Sequence, residues 1–358
     1  MTACGAAGAA QKRNPQDRGF HSMYKALFYS QQENRAVRCT LCPHACLIAE
    51  GHRGLCGVRE NCNSCLYSLV FGRAIAEHID PIEKKPLFHV LPGSTSYSIA
   101  TAGCNLSCRH CQNADIAHLP RSQGIRAGAL RTPDDIVQAA LAAACQSISF
   151  TYTEPTIYFE YALEIARRAV QENLKTIFVT NGFIAPRAIE TIAPFLAAAN
   201  IDLKAFSDDF YRDICGARLQ PVLDAIQTYH QCGVWIEITT LIIPGLNDSP
   251  DELKKIAGCI VSVGEDIPWH VSAFYPTYRM TDRPPTPAST LLAAREIGRS
   301  AGLRYVYTGN IPGQGGEDTL CHACGAVLIK RRGYSILSDR LHMGTCAACS
   351  TPCAGIFD

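Results

Sequence analysis

TSYSIATAGCNLSCRHC, residues 95–111, decides how the rest of the chain is read. Its first half is a short β-branched and apolar run that reads as a strand. Its second half delivers Cys104, Cys108 and Cys111 from one loop with the spacing C-x3-C-x2-C. Three thiolates can hold three irons of a four-iron, four-sulfur cluster and leave the fourth iron open, whereas a cluster used for structure or electron transfer is ordinarily closed by a fourth cysteine. An open iron is a coordination site for a small molecule. Taken alone, the spacing also suits a zinc ion that borrows a remote fourth ligand.

Outward from this stretch, apolar runs alternate with amphipathic helices to about residue 310. SISFTY, KTIFVT, NIDLKA, VWIEITTLII, WHVSAFY and YVYT read as later strands. RTPDDIVQAALAAAC opens a helix with Thr132 as N-cap, Pro133 at the first position and Asp134 and Asp135 in the first turn. Such alternation predicts an α/β chain built of βα units around a parallel sheet. Six or seven units fall short of the eight of a closed barrel, so a partial (β/α)6-type barrel is expected. Thr153-Glu154-Pro155, Asn181-Gly182, Asp202-Leu203-Lys204 and Gly309-Asn310 all sit at or just past the C-terminal ends of predicted strands, the rim on which such folds assemble their sites.

The cysteine loop, followed by these rim motifs in this order, resembles the signature of the radical S-adenosylmethionine (SAM) superfamily. The resemblance implies that the open iron chelates the amino and carboxylate groups of SAM. The reduced cluster then passes one electron to the sulfonium, and a 5′-deoxyadenosyl radical takes a hydrogen atom from the substrate. It assigns Glu154 to the SAM amino group, with Tyr152 and Thr153 standing where the family has glycines, and Lys204 to the carboxylate. Asp202 either orients Lys204 or binds a ribose hydroxyl, and Asn181 contacts the ribose or the methionine end. His270 contacts the ribose or adenine, and His110 stacks near the adenine. The residues alone leave other readings open: an acid after a strand is commonly a helix N-cap, and a rim histidine is often simply satisfied by its neighbours.

The 358 residues are 47% hydrophobic with a net charge of +1, so no bulk field points to nucleic acid or a membrane. No run approaches the roughly 18 apolar residues of a spanning helix. Residues 1–24 lack a secretion signal and read as a disordered lead-in. Nineteen cysteines in a long chain with no export signal suggest metal ligands in a reducing cytoplasm rather than disulfides. Of those outside the clusters, Cys145, Cys215, Cys232 and Cys259 read as buried or incidental thiols.

Two further clusters flank the barrel. In residues 25–94, Cys39, Cys42, Cys46 and Cys56 follow C-x2-C-x3-C-x9-C, which suits zinc or an auxiliary iron–sulfur cluster. Cys62 and Cys65 add a pair without an assigned role. After the predicted barrel, residues 95–315, comes a module at 316–358. There Cys321, Cys324, Cys346 and Cys349 form two C-x2-C knuckles 21 residues apart, zinc-ribbon-like, with KRRGYSILSDRL as a hairpin between them. Cys353 is a thiol the ribbon does not need. The segments CTLCPHAC, GLCGVREN, HIDPIEKKPLFHVLPGS, TYTEPTIYFEY and NIDLKAF, with the terminal knuckles, resemble the AmmeMemoRadiSam system radical SAM proteins, a family similar to pyruvate formate-lyase activating enzymes. That resemblance implies a Memo-like protein and an AMMECR-domain protein as partners, and an electron donor such as flavodoxin or ferredoxin. Glycyl-radical activation of a partner enzyme is the alternative activity. A scaffold or redox carrier is the non-enzymatic one. Lys84, Lys85 and His89 either read a substrate at the barrel mouth or form a solvated charged strip.

Overall fold

The computed structural model describes residues 24–122, 128–311, 313 and 315–358, so the predicted lead-in lies outside it except for Tyr24. Eight strands make the central sheet. β1 (Ala76–Pro81) runs antiparallel to β2 (Thr95–Ala100). β3 (Ser147–Phe150), β4 (Lys175–Thr180), β5 (Ala198–Asp202), β6 (Trp235–Ile242), β7 (Trp269–Ala273) and β8 (Val306–Gly309) follow, each parallel to the one before. Spatial order equals chain order. Every crossover therefore advances one strand, and each carries a helix: α1 (Pro133–Ala142), α2 (Phe159–Gln171), α3 (Pro186–Ile192), α4 (Gln220–Gln231), α5 (Pro250–Val263) and α6 (Ala288–Ser300). All seven strands read from the sequence are present. β1 and β8 are the two edges, so the sheet is open and mixed.

The helices begin where local chemistry dictates. Thr132 Oγ1 accepts from Asp135 N at 3.1 Å while the Asp135 carboxylate accepts from Thr132 N at 2.7 Å, a reciprocal capping box ahead of Pro133. Ser249 Oγ caps α5 by accepting from Glu252 N, again ahead of a proline.

The two faces of the sheet differ in chemistry because side chains alternate along each strand. Ile99, Ile148, Phe150, Phe178, Ile201, Ile238 and Val271 share one face and pack with the helices in the main core. The other face carries Ser98, Ser149, Asn200, Glu237, Thr239, His270 and Tyr307. Residues 82–91 cross this polar face near the N-terminal ends of the strands, with Ile82, Leu87 and Val90 packed on Ile177 and Ala198. Asn200 Nδ2 donates to Pro86 O (2.7 Å), and the Glu237 carboxylate accepts from Phe88 N (3.0 Å) and His89 N (2.8 Å). Lys85 and His89 are therefore neither a solvated strip nor free at a mouth. Lys85 is buried against Asp80 at 2.5 Å, and His89 is bound on both ring nitrogens, by Ala354 O and the Tyr307 hydroxyl. Lys84 alone reaches solvent, paired with the same Asp80.

At the C-terminus, the hairpin Val327–Arg332/Ser335–Asp339 separates the two knuckles, as the sequence indicates. It docks on residues 82–91, the plug of the polar face. Arg331 Nη2 donates to Phe88 O (2.8 Å), Leu91 N donates to Ile356 O (2.7 Å), and Phe88, Tyr305 and Tyr307 join Leu328, Ile329 and Cys353 in a second core. Among the described residues no helix is long and apolar enough to cross a membrane.

Candidate active site

β2 ends at Ala100, and the cysteine loop follows directly. Its backbone is held from both sides. Gly103 N donates to Ile116 O, Ser107 N to Cys215 O (2.8 Å) and Arg109 N to Ile214 O (3.0 Å). Gly103 adopts φ +111°, and a Cβ there would lie 2.8 Å from Val58 Cγ1, so the close approach requires glycine. Gly216, at φ +71°, leaves room for Ser107: a Cβ would stand 2.4 Å from its Oγ. Asn105, inside the loop, donates to Phe183 O (2.7 Å), accepts from Asn181 Nδ2 (2.9 Å) and offers its carbonyl to His44 Nε2 (2.8 Å).

The charge of Cys108 bears on both Cys104 and Cys111. Burial pushes Cys104 well up, and the Glu154, Cys108 and Cys111 charges add to that. Cys108 moves the other way, because the Cys215 thiol hydrogen-bonds to it and Lys204 lies near. Cys215, read from the sequence as incidental, thus supports the loop twice, through its carbonyl and through its thiol. No periodicity or spacing marks it.

The rim residues divide into two groups. Lys204 and Asp202 form an ion pair at 2.7 Å, with side chains 14% and 36% exposed, beside Cys108. Burial alone would lower Lys204, but Asp202, Cys108 and Cys215 outweigh it and hold the ammonium charged. Both remain able to meet a ligand. Glu154, Asn181 and His270 each have protein partners in this structure. Glu154, 1% exposed, accepts from Thr156 N (3.0 Å), Thr156 Oγ1 (2.6 Å), Thr180 Oγ1 (2.8 Å) and Asn181 N (2.8 Å). It caps the turn Pro155–Tyr158 and ties the end of β3 to the end of β4. Asn181 spends its amide on Asn105, on Phe183 N and, at 3.7 Å, on Cys104 Sγ. His270 lies near the start of β7, not on the rim, and its Nε2 meets Glu237 at 2.6 Å. Glu237 was not singled out in the sequence, where it is one acid inside an apolar strand. Although burial pushes its carboxyl up, His270, His89 and the Phe88 N–H bring it below the usual range.

Two features of the chain fit a bound cluster and SAM at this loop. Lys204, partly buried and paired with Asp202, supplies a cation for a carboxylate. Thr101 Oγ1, just before the three cysteines, and His110 Nδ1, between the second and third, are buried without a protein partner, and buried polar atoms ordinarily have one. Burial, with Lys204 nearby, brings His110 down to about 3, so its ring is neutral. Tyr152, where glycine was expected, sits at φ +62°. Its carbonyl accepts from Asn113 Nδ2 (2.7 Å), its hydroxyl meets Asp80, and the Lys85 ammonium lies 4.7 Å from its ring centre. Those contacts hold a non-glycine residue in the left-handed region.

The flanking cysteines form two different arrangements. Cys321, Cys324, Cys346 and Cys349 bring their sulfurs within 4.8 Å of one another, the one such group of potential ligands among the described residues. Two of its pairs are 3.6 and 3.8 Å apart. Cys353 lies outside it, with its sulfur 3.7 Å from the Tyr305 hydroxyl. Cys39, Cys42, Cys46 and Cys56 instead line one small pocket. Burial pushes Cys42 up to about 12 and Cys56 up to about 11. Cys62 and Cys65 face each other across a two-residue turn.

Residues 98–257 match the radical SAM superfamily. The chain is 42% identical over 310 residues to an uncharacterized protein of Methanocaldococcus jannaschii, covering 86% of this chain and 92% of that one. It is 23% identical to the pyruvate formate-lyase-activating enzyme of Clostridium pasteurianum over 47% of this chain and 72% of that protein. A radical SAM methyltransferase from Sphaerobacter thermophilus aligns with a TM-score of 0.49 and 19% identity over 66% of this chain and 71% of the other. The match over the cysteine loop and the strands that follow it, with a relative spanning nearly the whole chain, makes this protein a radical SAM superfamily enzyme, in one family with the Methanocaldococcus jannaschii protein.

Proposed function

We propose that the chain binds SAM over the Cys104–Cys111 loop, at the C-terminal ends of β2 to β5, and abstracts hydrogen from a substrate held against the polar face of the sheet. The observation that carries this reading is the thiol loop, clamped by Asn105, Asn181 and Cys215, with the Lys204–Asp202 pair beside it. A [4Fe–4S] cluster on Cys104, Cys108 and Cys111 with SAM would supply one-electron cleavage to a hydrogen-abstracting 5′-deoxyadenosyl radical. Lys204 pairs with the SAM carboxylate, and Asp202 orients Lys204 or takes a ribose hydroxyl. His110 offers Nδ1 as an acceptor or donor, according to its tautomer. Glu154 acts one layer back by fixing the backbone of Asn181. We read the open sheet as an incomplete barrel, residues 95–315, carried between modules at 25–94 and 316–358.

Membership of the AmmeMemoRadiSam system rests on the motif order given above, and brings with it a Memo-like and an AMMECR-domain partner, a flavodoxin- or ferredoxin-type donor and a cytoplasmic setting. The activating-enzyme relatives favour a second reading, abstraction from a glycine of a partner enzyme. The cysteine modules, one before the SAM loop and one beyond the last strand of the sheet, count against it. Anaerobic assays with each partner candidate separate the two. Stimulated 5′-deoxyadenosine release with the Memo-like and AMMECR-like proteins supports the first reading. A glycyl-radical EPR signal in a co-incubated lyase would support the second.

A further inference from the structure

Four-cysteine zinc and four-cysteine [4Fe–4S] sites differ in how far apart their sulfurs must stand. On one tetrahedral ion at a Zn–S distance of about 2.3 Å, sulfurs are about 3.8 Å apart, the bond length multiplied by the tetrahedral edge factor of about 1.63. On a cube, each sulfur binds a different iron, so the metal–metal separation is added and the ligands spread around a larger body. The C-terminal tetrad has the single-ion geometry, with pairs at 3.6 and 3.8 Å. Cys39, Cys42, Cys46 and Cys56 do not draw together within 4.8 Å, yet all four line one pocket. Leu41, Ile48 and Ile157 complete much of its wall. The sulfurs already receive backbone donors, His44 N–H to Cys42 and Val58 N–H to Cys56. Arg59, 2% exposed, also lines the cavity. Its Nη1 donates to Cys39 Sγ at 3.5 Å, and its buried Nε has no protein partner. Its Nη2 is paired with Glu160 at 2.7 Å, so the guanidinium is charge-compensated and the Nε N–H is the one donor left for an acceptor such as a cluster sulfide.

We propose that this cavity holds a second [4Fe–4S] cluster, closed by Cys39, Cys42, Cys46 and Cys56, and that the C-terminal tetrad alone is the zinc site. The two iron sites are back to back. Asn105, adjacent to Cys104, lines the cavity, and the place a Gly103 Cβ would occupy is 3.4 Å from Cys56 O. That adjacency suits the outer cluster to take one electron from a ferredoxin- or flavodoxin-class donor and pass that same electron inward.

Metal analysis of the full-length protein, isolated and reconstituted anaerobically, tests the assignment. The expected content is about eight irons, eight sulfides and one zinc per chain, two cubes plus one ion. About four irons and two zincs would overturn it. In the Cys104→Ala/Cys108→Ala/Cys111→Ala variant, about four irons should remain, with an EPR signal on reduction that zinc cannot give. An iron-free, EPR-silent triple variant that holds two zincs would again overturn it. The triple variant lacks the SAM-binding ligands, so its iron reports on the cavity alone, and failure there leaves the radical reading standing. Should that variant not fold, the wild-type ratio of iron to zinc decides.

Discussion

Replacing Glu154 by glutamine separates a contact with SAM from a support for the loop. The carboxylate accepts four hydrogen bonds, three on Oε1 and one, from Asn181 N, on Oε2. A glutamine amide has one accepting oxygen. Whichever way it turns, its NH2 faces a backbone N–H, Thr156 N or Asn181 N. Loss of a charge-assisted bond costs about 1.5–3 kcal/mol, and a buried donor left unmade about 1–3 kcal/mol. Burial raises the Glu154 carboxyl, so a neutral side chain recovers part of this. The net expectation is about 2–4 kcal/mol lost from unfolding. The damage passes through Asn181, whose amide reaches Cys104 Sγ, so iron should also leave faster on chelation. Urea unfolding with parallel iron release under anaerobic conditions reads both. A variant within about 0.5 kcal/mol of wild type, an ordinary surface-substitution effect, with iron retained and SAM affinity down tenfold or more, would refute the reasoning and restore Glu154 as a SAM ligand.

Three other outcomes follow from the geometry. Gly216→Ala should lose about 1–2 kcal/mol to left-handed strain and about 0.5–1.5 kcal/mol as Ser107 turns away from Cys215 O; a urea midpoint equal to wild type would contradict this. Burial brings His89 down to about 4, below the ordinary value near 6.5. Between those values the unfolded chain binds the proton and the folded chain does not, so stability present above pH 6.5 falls as pH drops toward 4. About 3 kcal/mol is at stake, and His89→Gln should flatten that part of the stability–pH curve. Cys324→Ser should remove zinc while leaving the iron content unchanged. Because the ribbon docks on residues 82–91 through Arg331 and Leu91, hydrogen exchange should rise in that plug as well as in the ribbon.

The fold was largely legible because its signals are local. Strand length, βα alternation and the cap at Thr132 lie within short windows, and each appears where the sequence indicated. The thiol loop was legible for the same reason, since C-x3-C-x2-C is a spacing along one backbone. What could not be read was which side chains are spent on one another. Glu154, Asn181 and His270 carry the residue types a ligand would want. Their partners, Thr180, Asn105 and Glu237, lie 26, 76 and 33 residues away, and only the fold brings them together. Lys85 and His89 have the composition of a surface strip, and are buried because residues 82–91 cross the polar face of the sheet. Cys215 carried no pattern at all.

The most direct measurement of the central claim is anaerobic 5′-deoxyadenosine formation by the reduced, reconstituted protein with SAM, beside the Cys104→Ala/Cys108→Ala/Cys111→Ala variant. Radical SAM chemistry at this loop requires 5′-deoxyadenosine from the wild type, in the presence of its partners where they are needed, and none from the variant. Equal amounts from both, or none from a fully loaded wild type with donor and partners supplied, would contradict it.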